Sequence, residues 1–248
     1  MSDFDRNYAS AIPADRADMS VDAGLRSFML GVYNKLALGL VLSGALAWVT
    51  SSVEPVRDLL FKTTAGGAFA GYTIPGYIVV FAPLAVILFG MGAARSAKGA
   101  TALYWTVVSL IGASMGTVFL VYNLGSISTA FLSTSVAFGS LSLWGYTTKK
   151  DISGWGSFLM IGVVGIIIAS IANMFFKSPA FYYVINAVVV LLFAGLTAYD
   201  TQRLKLTYYG LRDDVEALGA ATSMGALSLY LNFINMFQAL LALFGNRN

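Results

Sequence analysis

The stretch LTAYDTQRLK, residues 196–205, closes a long apolar run with Asp200 and then turns basic at Arg203 and Lys205. A lysine in such a place can snorkel to the headgroups. A carboxylate has too short a stem to do so, and in hydrocarbon it needs a partner or a proton. The chemistry open to it is proton exchange or cation coordination. Arg203, at i+3 on the same helix, is one candidate partner. Arg95, at the end of an earlier apolar segment, is a second. The last apolar stretch, MGALSLYLNFINMFQALLALFG (224–245), supplies Ser228, Asn232 and Asn235. Ser228 and Asn232 share a helix face, and Asn235 lies one turn further on. Two readings stay open: a structural Asp200–Arg203 ion pair, or a functional carboxylate facing a polar cavity on the last helix.

The chain holds no histidine and no cysteine. That removes disulfides, thiol nucleophiles, the usual zinc and haem ligands and imidazole proton shuttles. With so few acids as well, no nucleophile–base pair can be assembled, and the chain is expected to be a non-enzyme without a resident cofactor. A retinal pigment would need a lysine on the last helix, and residues 224–244 have none. Basic residues are spread rather than clustered, so no nucleic-acid partner is implied.

The elements that must position Asp200 follow from composition. Of 248 residues, 58% are hydrophobic and 11% charged, about half the charged share of an average soluble domain. The chain is therefore expected to be an all-α integral membrane protein whose main partner is the lipid bilayer. Seven segments are long and apolar enough to cross: Met29–Thr50, Tyr77–Ala94, Thr101–Tyr122, Ser128–Thr147, Gly154–Phe176, Tyr182–Tyr199 and Met224–Phe244. Eleven Lys/Arg fall on one side of this arrangement and four on the other, which places the N-terminus in the cytoplasm. Asp200 then stands at the cytoplasmic end of the sixth segment. Lys35, one turn into the first, is expected to snorkel to the headgroups. Gly112 and Gly116 form a G-x-x-x-G pair suited to close packing within the bundle. The stretch FKTTAGGAFAGYTIPG (61–76) reads as a flexible loop, and 203–223 as a long connection. Residues 1–24, with five aspartates and no signal-peptide pattern, read as a disordered cytoplasmic tail before a membrane domain at 25–248.

Four segments, GLTAYDTQRLK (195–205), GYTTKKDISGWGSFLMIG (145–162), GALSLYLNFINMF (225–237) and VYNKLALGL (32–40), together resemble the Bax inhibitor-1 family, also called TMBIM or YccA-like. The compact length resembles its bacterial members, which implies the bacterial inner membrane. The resemblance implies a seven-helix bundle with the last helix central. It also implies a cytoplasmic-side pH sensor of two aspartates in reach of an arginine on helix two, whose breakage opens a calcium-permeable leak. Asp200 matches the helix-six aspartate, which makes it a candidate Ca2+ ligand, and Arg95 is the candidate arginine. The departure lies on the last helix, where Asn232 stands in place of the common aspartate and Ser228 in place of a further acid. Two close carboxylates titrate in separate steps because they cannot both ionise cheaply. An asparagine does not repel its neighbour, so a leak here is expected to depend only weakly on pH between about 6 and 8. The alternative implied by YccA-type relatives is a regulator of a membrane-anchored AAA protease or of a stress response, with the acidic tail as its handle.

Overall fold

In hydrocarbon a backbone amide must find its partner within its own segment or in a closed barrel. In the computed structural model, which describes residues 22–247, the apolar segments are accordingly helices. In chain order they are α1 (Ala23–Ser52), α2 (Glu54–Leu60), β1 (Phe61–Thr63), β2 (Phe69–Tyr72), α3 (Ile74–Gly90), α4 (Ala97–Ser114), α5 (Gly116–Val121), α6 (Leu124–Thr147), α7 (Trp155–Phe176), α8 (Pro179–Leu211) and α9 (Val215–Phe244). Polar residues mark the starts. The side chains of Asp22, Ser96, Asn123, Ser178 and Asp214 each accept from an amide in the first turn that follows, which pairs donors a helix N-terminus leaves open.

Among the described residues, six stretches are long and apolar enough to cross a membrane: α1, α4 with α5, α6, α7, α8 and α9. The remaining expected crossing is α3, apolar but of 17 residues. Its first turn lies against Leu60 and its last residue, Gly90, against Leu103 of α4. The third expected segment is broken at Met115, whose amide is shared between the carbonyls of Ile111 and Gly112.

Three boundaries differ most from the sequence expectation. Helix α1 starts at Ala23 rather than Met29, because Asp22 caps it. The expected tail (1–24) lies otherwise outside the described residues. Helix α8 runs eleven residues past Asp200, to Leu211, and α9 begins at Val215 rather than Met224. The long connection expected over 203–223 is two helix ends and a short turn. A hydropathy window stops where polar residues begin, but the hydrogen-bond ladder does not. The loop expected to be flexible is instead an antiparallel hairpin, Phe61 opposite Tyr72. Phe61, Phe69 and Tyr72 hold it in an edge-to-face cluster with centroids 5.1–6.2 Å apart.

Helix α9 is the axis. It packs against α1, α4, α6 and α8, while α3 packs on α4 and α7 on α8 one layer out. The last helix is thus central, with four direct neighbours rather than six. Close approach depends on two glycines. A Cβ at Gly112 would run into Ser43 of α1, and one at Gly145 into the backbone of Ala198 on α8. The G-x-x-x-G pair is used inside the bundle, as expected.

Candidate functional site

The site is built where α8 crosses α9. Asp200 is 7% exposed and Asn232 5%. The Asn232 side-chain amide donates to Asp200 Oδ2 at 2.8 Å. The other carboxylate oxygen faces Arg203, whose guanidinium lies 3.9 Å away on a side chain that is 54% exposed. A long, half-exposed pair of this kind contributes little, whereas a buried hydrogen bond to a charged group contributes more, on the order of 1.5–3 kcal/mol. Asn232 is therefore the principal partner of Asp200. The Asp200–Arg203 ion pair that the sequence left open is present but long, and the contact with Asn232 on the last helix is the stronger.

Arg95 does not join them. It is exposed in a short turn, Ala93–Arg95, and Ala97 just beyond is hydrogen-bonded to Glu216 in the first turn of α9. Sixteen residues, about 24 Å of helix, separate Glu216 from Asn232. Asn235 turns back on its own helix and donates to the Leu231 carbonyl at 2.8 Å. Ser228 is half-buried and takes no part in the Asp200 contact. Among the described residues no group of three or more His, Cys, Asp or Glu side chains could hold a metal ion. What Asp200 offers a cation is one carboxylate beside an amide, a thin shell for Ca2+, which takes six to eight oxygens.

Three of the polar residues that follow Asp200 reach α6 or the loop between α6 and α7. Thr201 hydrogen-bonds Ser142 of α6 at 3.0 Å, and Ser142 in turn bonds the Tyr33 hydroxyl of α1. Gln202 clamps the α6–α7 loop, accepting from the Ile152 amide at 2.9 Å and donating to the Lys150 carbonyl at 2.7 Å. Lys205, buried, donates to the Tyr146 carbonyl and lies 4.9 Å from the Tyr146 ring centroid. These residues were missed as site members. The available signal was five polar side chains, from Asp200 to Lys205, within two turns at the end of an apolar run, each requiring its own partner. In the clamped loop, outside the spans, Asp151 accepts from the Ser153 amide at 2.9 Å. That bond holds its carboxyl below the usual value.

Lys35 departs from expectation. Instead of snorkelling, its ammonium donates to Thr101 of α4 at 3.1 Å and to Ser223 of α9. The tether is possible because α1 begins at Ala23, so Lys35 lies three turns into the helix, level with the early turns of α4 and α9. Two polar layers therefore cross the axis, Lys35–Thr101–Ser223 and Asp200–Asn232.

Comparison with known proteins gives a consistent result. Residues 25–248 match the family described as inhibitor of apoptosis-promoting Bax1. A Caulobacter vibrioides protein described as uncharacterized is 61% identical over 247 residues, covering 99% of this chain and 98% of its own. The inner membrane protein YbhL of Escherichia coli K12 is 38% identical over 226 residues, covering 91% and 94%. A Streptococcus pyogenes protein described as an uncharacterized membrane protein is 31% identical over 228 residues, covering 92% and 96%.

Proposed function

The chain belongs to the Bax inhibitor-1 family, and from that premise we propose that it is an inner-membrane ion-homeostasis protein whose cation leak, calcium-permeable, is closed at the Asp200–Asn232 contact. The observation that carries this reading is the 2.8 Å hydrogen bond between two buried side chains on α8 and the central α9. An intramembrane carboxylate is functional by default, and this one ties the axis of the bundle to its neighbour. In this reading α3 is the seventh crossing, the N-terminus is cytoplasmic, and the site is a single-carboxylate version of the family's sensor. Arg203 takes the place of the helix-two arginine. No enzymatic step and no resident cofactor enter the scheme.

Calcium flux into proteoliposomes tests it. At neutral pH, Asp200→Ala should raise the leak several-fold over the parent, because Asn232 then has no partner across the helix interface. Equal flux from the two proteins, both folded, would remove Asp200 from the leak. Absence of flux from any form would favour the regulatory alternative, in which the family's membrane-protease partners are engaged through residues 1–24.

A further inference from the structure

Helices α1 and α6 both pack on α9 but scarcely on each other. They are joined by the Tyr33–Ser142 hydrogen bond at one end of the bundle. Toward the other end they part and leave a groove of about 390 Å³ with α5 closing its top. Leu40 and Gly44 of α1 form one wall and Leu132 of α6 the other. Phe131 packs edge-to-face on Phe233 and Phe237 of α9, centroids 5.5 and 6.3 Å apart, to make an aromatic floor. Phe233 is 3% exposed and Phe237 5%, whereas Leu132 at the mouth is 64% exposed.

The two hydroxyls in the lining are already engaged. Ser43 bonds the Val108 carbonyl and the Tyr230 hydroxyl, and Ser128 bonds the Leu124 carbonyl. Water entering here would find little beyond the spare lone pairs of Ser128. An empty groove would forfeit dispersion contacts along its whole floor. It is more than twice the roughly 150 Å³ of an apolar cavity that takes up benzene. Both walls belong to helices of membrane-spanning length and composition, so the mouth is continuous with the lipid-facing surface and opens onto hydrocarbon.

We propose that this groove binds one acyl chain of a membrane phospholipid, laid between α1 and α6 on the aromatic floor of α9. The proposal does not depend on the leak reading. Gly44 offers a direct test, because a Cβ added there meets nothing within 4 Å. Gly44 lines the groove, so the ring of a phenylalanine there is expected to enter it from a Cβ that meets no packed neighbour.

The experiment reconstitutes the parent and Gly44→Phe with a phosphatidylcholine carrying a photoreactive diazirine on its acyl chain. Labelled peptides are then located by mass spectrometry. Labels on Phe233 and Phe237 are expected in the parent, because only a chain inside the groove reaches residues so deeply covered. They should be lost in Gly44→Phe, while labels on the outer face of α7, at Phe158 and Ile161, persist in both and report folded protein. Unlabelled floor residues in the parent, or equal labelling in the two proteins, would overturn the proposal. So would protection of the mouth by a second copy of the chain, seen as a dimer at the same lipid-to-protein ratio.

Discussion

Asp200 and Asn232 show how much depends on which member of a buried polar pair is changed. With Asn232→Leu the carboxylate keeps its burial and loses its principal partner. The cost is expected to be about 3 kcal/mol, the scale for orphaning a buried charge. Asp200→Asn leaves two neutral amides that can still hydrogen-bond, so it should cost about 1 kcal/mol or less. Thermal unfolding of the two variants in detergent checks the order, and a less stable Asp200→Asn would contradict it. The sequence made Asp200 and Asn232 legible as partners because both are polar groups with nowhere else to turn in hydrocarbon. It did not separate them from Asn235 or Ser228, which lie on the same helix. Rotation about the helix axis decides that choice, and it is set by packing. Arg95 was misread for a related reason: its place in the chain fits the family pattern, while its place in space depends on where the turn after α3 docks.

Helix α8 is at once a helix of membrane-spanning length and the fastener of the α6–α7 loop. Thr201, Gln202 and Lys205 follow Asp200 around the helix and meet α6 or the α6–α7 loop. Gln202 holds that loop by two hydrogen bonds. Gln202→Ala should therefore speed amide exchange over residues 148–154 by about tenfold, the equivalent of one net hydrogen bond, and leave the middle of α7 unchanged. Exchange that rises equally in both places would mean the bundle as a whole had loosened. Helix existence was legible from hydropathy alone, while helix length was not. Residues 203–211 and 215–223 are polar enough to end a hydropathy window, yet each continues a helix already nucleated. The hairpin at 61–72 was hidden for the opposite reason: its small and aromatic residues signal a strand only once Phe61, Phe69 and Tyr72 are seen to cluster.

At the scale of the molecule, α9 is the axis, four helices surround it, and α3 and α7 stand outside. The central place of the last helix came from the resemblance to relatives, since hydropathy ranks α7 as the most apolar span while the structure buries α9 most. The most apolar helix is outermost because lipid is its solvent, whereas the innermost helix carries Ser223 and Asn232, whose partners on α1 and α8 only protein can supply. The absence of native cysteine makes the topology directly testable. Single cysteines at Lys62 and Lys98, which are exposed and flank α3, should be labelled from opposite sides of sealed vesicles by an impermeant maleimide. Labelling from the same side would remove α3 as a crossing and leave six.

The central claim is that one carboxylate beside a neutral amide closes the leak, and the most direct measurement is the pH profile of calcium flux for Asn232→Asp beside the parent. Two carboxylates at this position must titrate in separate steps, whereas one beside an amide has no such coupling. The account predicts a nearly flat parent profile between about pH 6 and 8 and a profile that changes several-fold over the same range in Asn232→Asp. Profiles that superimpose would contradict it, and would leave the Asp200–Asn232 hydrogen bond a fastening between helices with no part in conduction.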